Sequence, residues 1–223
     1  MQKITTTALL FFICFSLSAQ YKKASFFGKE GRTYGLASQL HAMGDGKGSP
    51  IGYTLTFGRD RDGKQFFSSW ELELLPSYKF SFTTTDENDE PITVSGKTKT
   101  HLIYGVNYGF FLLKNKEDEE RKIKPYLSAG FNIVVLGGAK EINNNAIGYN
   151  KKAVPDQNFS MGFRGGLGCL IGLAPKFALK LDGGYNYQLN VSSETFSEDV
   201  ETYHLFSKHP YASVGIRYRL TKE

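Results

Sequence analysis

The feature that most constrains this chain is strict alternation over runs too short to be membrane helices. Leu102, Tyr104, Val106, Tyr108, Phe110 and Leu112 alternate with His101, Ile103, Gly105, Asn107, Gly109 and Phe111. Successive strand side chains point to opposite faces, so this stretch is a ribbon with one bulky apolar face and one mostly small or polar face. The last strand, Tyr211 to Leu220, repeats the pattern: Ala212, Val214, Ile216, Tyr218 and Leu220 oppose Ser213, Gly215, Arg217 and Arg219. An amphipathic ribbon beside the C-terminus needs a partner, and in a closed barrel that partner is the first strand.

The same period marks six further segments. Tyr34, Leu36 and Leu40 oppose Gly35, Ala37 and Gln39 in a weaker first strand, and Ile51, Tyr53, Leu55 and Phe57 oppose Gly52, Thr54, Thr56 and Gly58. Phe66, Ser68, Trp70, Leu72 and Leu74 oppose Phe67, Ser69, Glu71 and Glu73, and Pro76, which cannot donate to a ladder, ends that strand. Leu127 to Val135, Phe159 to Ile171 and Phe177 to Tyr187 complete a set of eight. Between them, Thr83–Ser95, Gly137–Asn158 and Gln188–Tyr203 read as long loops. Arg59–Gly63, the charged Lys114–Lys124 cluster and Ala174-Pro-Lys176 read as turns.

The mature chain holds no run of roughly 18 apolar residues, so it spans a membrane only as a closed barrel. Bulk decides which side faces out. Eight strands enclose an interior barely wide enough for side chains. Trp70, Tyr104, Tyr108 and the many Phe therefore belong outside, and Gly52, Gly105, Gly109, Gly130, Gly162, Gly166, Gly168 and Gly184 inside, beside long Arg, Lys and Glu side chains. A soluble ligand-binding barrel would need the reverse. The fold expected is all-β: an eight-stranded antiparallel up-and-down transmembrane β-barrel. Phe57, Phe66, Phe110, Phe177 and Tyr218 fit an aromatic girdle at one membrane face, and Tyr53, Tyr78 and Tyr187 at the other.

Residues 1–19 read as a signal peptide: Lys3, an apolar run Ala8–Leu17, and small residues before a cut at Gln20. Ile13 precedes Cys14 where a lipid-anchored Cys would need a small residue. Residues 20–30 are a polar lead-in, and residues 31–223 the barrel. Cys169 is then the single thiol of the exported chain, so no internal disulfide is available. A net charge of +5 with both signs mixed gives no basic block for nucleic acid.

The terminal Gly215-Ile-Arg-Tyr218-Arg-Leu220 is similar to the C-terminal insertion signal of the small outer-membrane β-barrel family related to the OmpA and OmpX barrels, which the alternation of the whole mature sequence also resembles. The resemblance implies residence in the cell outer membrane, contact with its lipid, recognition of Gly215, Tyr218 and Leu220 by the barrel-assembly machinery, and a monomer. It implies a role in envelope integrity or surface contact, with an extracellular ligand reached through the loops. A narrow OmpW-like channel for small or apolar solutes, and a lipid-modifying enzyme, are the alternatives. Catalysis needs a nucleophile, base and orienting acid together. His41, His101, His204 and His209 lie near strand tops or outward loops without a Ser partner or zinc-ligand spacing. No catalytic residue, cofactor or metal is assigned. The inward charges Glu71, Glu73, Arg164, Lys180 and Asp182 fall at similar depth and Arg217 lower, which predicts an ionic network across the lumen, because an unpaired buried charge is costly.

Overall fold

The computed structural model describes residues 31–221 apart from 45, 61–64, 86–87, 114–121, 145–151, 154–157 and 193–200. The leader and lead-in assigned to residues 1–30 lie outside the described residues, as does most of the Lys114–Lys124 cluster. The strands are β1 Gly31–His41, β2 Ile51–Asp60, β3 Phe66–Leu75, β4 Lys79–Thr85, β5 Pro91–Thr98, β6 His101–Phe111, β7 Ile123–Gly137, β8 Ala139–Asn144, β9 Lys152–Ala153, β10 Asn158–Ala174, β11 Phe177–Ser192, β12 Glu201–Thr202 and β13 His209–Thr221.

Eight of these close a barrel in the order β1-β13-β11-β10-β7-β6-β3-β2, every neighbouring pair antiparallel. The last strand seals it against the first, with Gly31 opposite Thr221 and His41 opposite Tyr211. Closure leaves no open edge in the wall.

The wall is inside-out relative to a water-soluble barrel. Along β3 exposure alternates without a break, Phe66, Trp70, Leu72 and Leu74 outward and Phe67, Glu71, Glu73 and Leu75 inward. Phe163 and Leu167 are 61% and 62% exposed, Trp70 54%, and similarly exposed apolar side chains ring the barrel. An apolar belt of that extent belongs against hydrocarbon.

Inside, the lumen is layered. Phe67, Phe111, Tyr126, Leu170 and Ala178 form an apolar cluster at the end that carries both termini of the barrel. Two glycines make room there. A Cβ on Gly109 would sit 2.0 Å from Phe67 Cζ, and one on Gly168 would sit 2.2 Å from Tyr126 Cζ. These small residues therefore accommodate aromatic rings, whereas Gly52 accommodates a carboxylate, since a Cβ there would meet Glu73 Oε1. Polar and charged side chains fill the middle. Met43, Leu75, Tyr78, Ile103, Val134 and Phe206 form the layer above them.

The long connections hold more order than alternation alone revealed. Those joining β3 to β6, β7 to β10 and β11 to β13 all leave the same end and carry five further strands. β4, β5 and β8 make a three-stranded antiparallel sheet, and β9 and β12 a short parallel pair. The stretch read as the loop Thr83–Ser95 is thus largely strand. Phe80, Phe82, Val94, Tyr203 and Leu205 pack beneath this head. Tyr78 belongs to the layer under it, not to an outer girdle: its ring is buried and its hydroxyl donates to the Leu205 carbonyl at 2.5 Å.

Candidate functional site: the polar layer of the lumen

Alternation puts one inward side chain at every second position, and register decides which of them meet. Glu71 on β3, Arg164 on β10 and Lys180 on β11 project into the middle of the lumen from separate parts of the wall. Arg164 Nη1 donates to Glu71 Oε2 at 2.8 Å, and Lys180 Nζ lies 3.4 Å from Glu71 Oε1. Asn107 Nδ2 approaches the same carboxylate at 3.5 Å. Lys180 Nζ also lies 3.1 Å from Asp182 Oδ2, an ion pair outside hydrogen-bond geometry, since neither Asp182 oxygen has a hydrogen-bond donor. The guanidinium of Arg164 covers the Tyr211 ring at 4.0 Å from its centroid.

Arg164 links this group to a second one nearer the head. Its Nη2 donates to Gln39 Oε1, and Gln39 Nε2 donates to Glu73 Oε2 at 3.1 Å. His41 Nε2 donates to Glu73 Oε1 at 2.5 Å. His41 Nδ1 and His209 Nε2 lie 2.8 Å apart, and His209 Nδ1 donates to the Ser207 carbonyl at 2.5 Å. One chain of polar contacts therefore runs from Asp182 through Lys180, Glu71, Arg164, Gln39, Glu73 and His41 to His209.

The residues chosen from sequence are distributed as follows. Glu71, Arg164, Lys180 and Asp182 meet directly, and Glu73 is tied to them through Gln39. Arg217 lies lower, donating to Thr33 Oγ1 at 2.9 Å and resting over the Phe67 ring at the edge of the apolar layer. Gly215 faces the lumen on β13, where a Cβ would press on Ala37, while Tyr218 and Leu220 face outward and Tyr218 packs against Phe177. Gln39 is not among the residues read from sequence as lumen charges, and His41 and His209 are read there only as histidines near strand tops, without a role. Parity carries the signal for the first two, because Gln39 shares the inward face of β1 with Gly35 and Ala37, and His41 follows two residues later.

The layer has little room for solutes. A cavity of about 20 Å³ lies among Gln39, His41, Glu73, Arg164, Asn186 and Phe206. That is space for about one water. His41 and Glu73 form a base-and-carboxylate pair, but the far nitrogen of His41 meets His209 and not a hydroxyl or thiol. Nucleophilic catalysis requires such a group at that position. Among the described residues no three His, Cys, Asp or Glu side chains are grouped to hold a metal ion.

No protein-family model and no curated protein matches the sequence. Solved structures do match. The N-terminal β-barrel domain of Pseudomonas aeruginosa OprF is 10% identical, covers 86% of this chain and 99% of its own, and superposes with a TM-score of 0.50. OprG from the same organism is 11% identical over 89% of this chain and all of its own, with a TM-score of 0.47. Neisserial surface protein A is 13% identical over 89% of this chain and all of its own, with a TM-score of 0.44. The chain has the fold of a small eight-stranded outer-membrane barrel, as in the OprF domain.

Proposed function

We propose that this chain is an integral outer-membrane protein without enzymatic activity, closed to solutes, that acts through the head at its loop end. One observation carries the reading. The three long connections build a head with an apolar cluster of its own, while the lumen beneath is filled by an ionic layer between two apolar layers. A channel needs a continuous wet path, whereas among the described residues the lumen shows small separate cavities of about 20 Å³ and about 10 Å³. A purely structural barrel has no need of a packed head. The β4–β5 ribbon presents a polar outer face, with Lys79 and Lys97 directly opposite each other and Thr83 opposite Thr93. Surface contact is therefore the favoured role. Lipid on the outer wall and the assembly machinery acting on Gly215, Tyr218 and Leu220 are the other partners in this reading.

Two measurements test it. In intact cells, a membrane-impermeant maleimide should label Thr93→Cys, and should label Lys176→Cys only after the outer membrane is permeabilised. The reverse result would turn the barrel over. In planar bilayers the purified protein should show no unitary conductance, and reproducible steps from the wild type would end the closed-lumen reading. Sequencing the mature N-terminus should find Gln20 first.

A further inference from the structure

Where β1 and β13 close the barrel, two imidazole rings face each other nitrogen to nitrogen. His41 ends one strand and His209 begins the other, 168 positions away in sequence. They are 0% and 1% exposed. One nitrogen of each ring is committed elsewhere, His41 Nε2 to the Glu73 carboxylate and His209 Nδ1 to the Ser207 carbonyl. The remaining nitrogens, His41 Nδ1 and His209 Nε2, are 2.8 Å apart. At that distance His41 Nδ1–H donates to His209 Nε2 in an N–H···N hydrogen bond, or the two nitrogens open slightly to hold a cation.

Three features favour a metal cation. A carboxylate or carbonyl held by the second nitrogen is the arrangement that fixes the orientation of ligating histidines and raises their basicity. A third donor is at hand: Asn186 Nδ2 lies 3.1 Å from His209 Nε2, toward which it donates, while Asn186 Oδ1 is buried without a hydrogen-bond partner. Turning the amide over would aim that oxygen at the gap. Finally, the small cavity beside His41 and Asn186 leaves space for a water as fourth ligand. Against these stand Lys47 and Arg164, both near enough to His209 to repel positive charge there. Only two members of the set are histidines, so no triad of His, Cys, Asp or Glu marks it.

We propose that His41 Nδ1, His209 Nε2 and Asn186 Oδ1 form a binding site for one divalent transition-metal ion beneath Phe206. Imidazole with a neutral oxygen suits Zn²⁺, Cu²⁺ or Ni²⁺, whereas Mg²⁺ and Ca²⁺ prefer an all-oxygen shell. Nitrogen ligands about 2.0–2.1 Å from a tetrahedral ion sit about 3.3 Å from each other, so binding moves the rings apart by roughly half an ångström. Phe206 covers the site, its ring centroid 5.7 Å from that of His41 and 4.8 Å from that of His209, so loading requires this residue to swing aside.

The test uses the tag-free chain refolded in detergent, stripped with EDTA, given excess Zn²⁺ and desalted before elemental analysis. One Zn²⁺ per chain is expected for the wild type and for His204→Gln, and almost none for His41→Gln or His209→Gln. Cu²⁺ bound to the wild type should show two nitrogen ligands by electron paramagnetic resonance. A wild type that retains no ion overturns the proposal, as does retention undiminished in His209→Gln; the facing nitrogens then share a proton. Should the variants fail to refold, the wild type decides alone. Imidazole resonances of His41 and His209 that do not shift on titration with Zn²⁺ overturn the site.

Discussion

Replacing Glu71 with Gln tests the lumen network at its centre. The carboxylate is buried and holds Arg164 at 2.8 Å and Lys180 at 3.4 Å. At an effective dielectric constant of about 20 each contact corresponds to roughly 5–6 kcal/mol of Coulomb attraction before desolvation is subtracted. Most of that gain is offset by taking three charges out of water. Removing one partner of a buried pair typically costs about 3–5 kcal/mol, because the stranded charge keeps its desolvation penalty. Two features place this case at the low end. Gln is nearly isosteric and keeps an oxygen that can accept from Arg164, and Lys180 retains Asp182 at 3.1 Å. We expect a loss of about 3 kcal/mol, a fall in the urea midpoint of about 1–3 M for slopes typical of small domains. The chain has a single tryptophan, Trp70, which lies on the outer face of β3 and reports the transfer from lipid to water. Folding in lipid vesicles followed by its fluorescence is therefore the assay. Arg164→Gln should cost a similar amount, and the double variant much less than the sum, because the pair then leaves together. Wild-type midpoints in both single variants, or strict additivity in the double, would refute the network.

Three further outcomes are expected. Gly168→Ala should cost about 1–3 kcal/mol, because its methyl would overlap the buried Tyr126 ring, and an unchanged urea midpoint would contradict the packing of that layer. Leu181→Arg should cost about 2–4 kcal/mol in the same assay, because Leu181 faces outward between Cys169 and Val214; no change would place that face away from the bilayer midplane. Burial, reinforced by Tyr203, raises the pKa of the Tyr78 phenol above its ordinary value of 10.0. The folded chain then keeps a proton that the unfolded chain releases, so this contribution is complete below about pH 10 and lost as pH rises further, by up to about 1.4 kcal/mol per unit. Tyr78→Phe should remove that part of the alkaline decline, and urea midpoints of the two proteins that fall in parallel above pH 10 would refute it.

The barrel was legible because a wall between lipid and a narrow lumen imposes its demand at every second residue. Pro76 fell just beyond the end of β3 at Leu75, and Tyr211–Leu220 lies within β13. The head was not legible, because its strands answer a different demand. In β4 the buried residues Phe80, Phe82 and Thr84 alternate with Lys79, Ser81 and Thr83 over only seven residues. β5 carries Pro91 and Gly96, which weaken a strand pattern, and it is held by neighbours on both sides. Such order comes from partners distant in sequence. The position of Tyr78 follows from the same fact: an aromatic two residues beyond a proline at a strand end reads as a girdle until Leu205 and Phe206 close over it.

The polar layer was half legible for a related reason. Parity assigns a side chain to the lumen but says nothing about height, and height follows from the stagger of register around the wall. Glu71 meets Arg164 and Lys180, whereas Glu73, two residues along the same face, meets Gln39 and His41. The difference is one step of the pleat, close to 7 Å along the strand. At that upper level the residues come from β1, β3, β11 and β13, and closure of β1 on β13 creates the meeting of His41 with His209. Neither histidine has a neighbour in sequence that would mark it. The closing seam of a barrel is thus where chemistry-bearing residues are least visible in sequence, because no hairpin joins the two strands that supply them. Here the seam also supplies the part of the lumen directly beneath the head. A change in the contact between His41 and His209 would therefore be felt first by Phe206 and by the segment from Tyr203 to Ser207 that ties the head to the barrel.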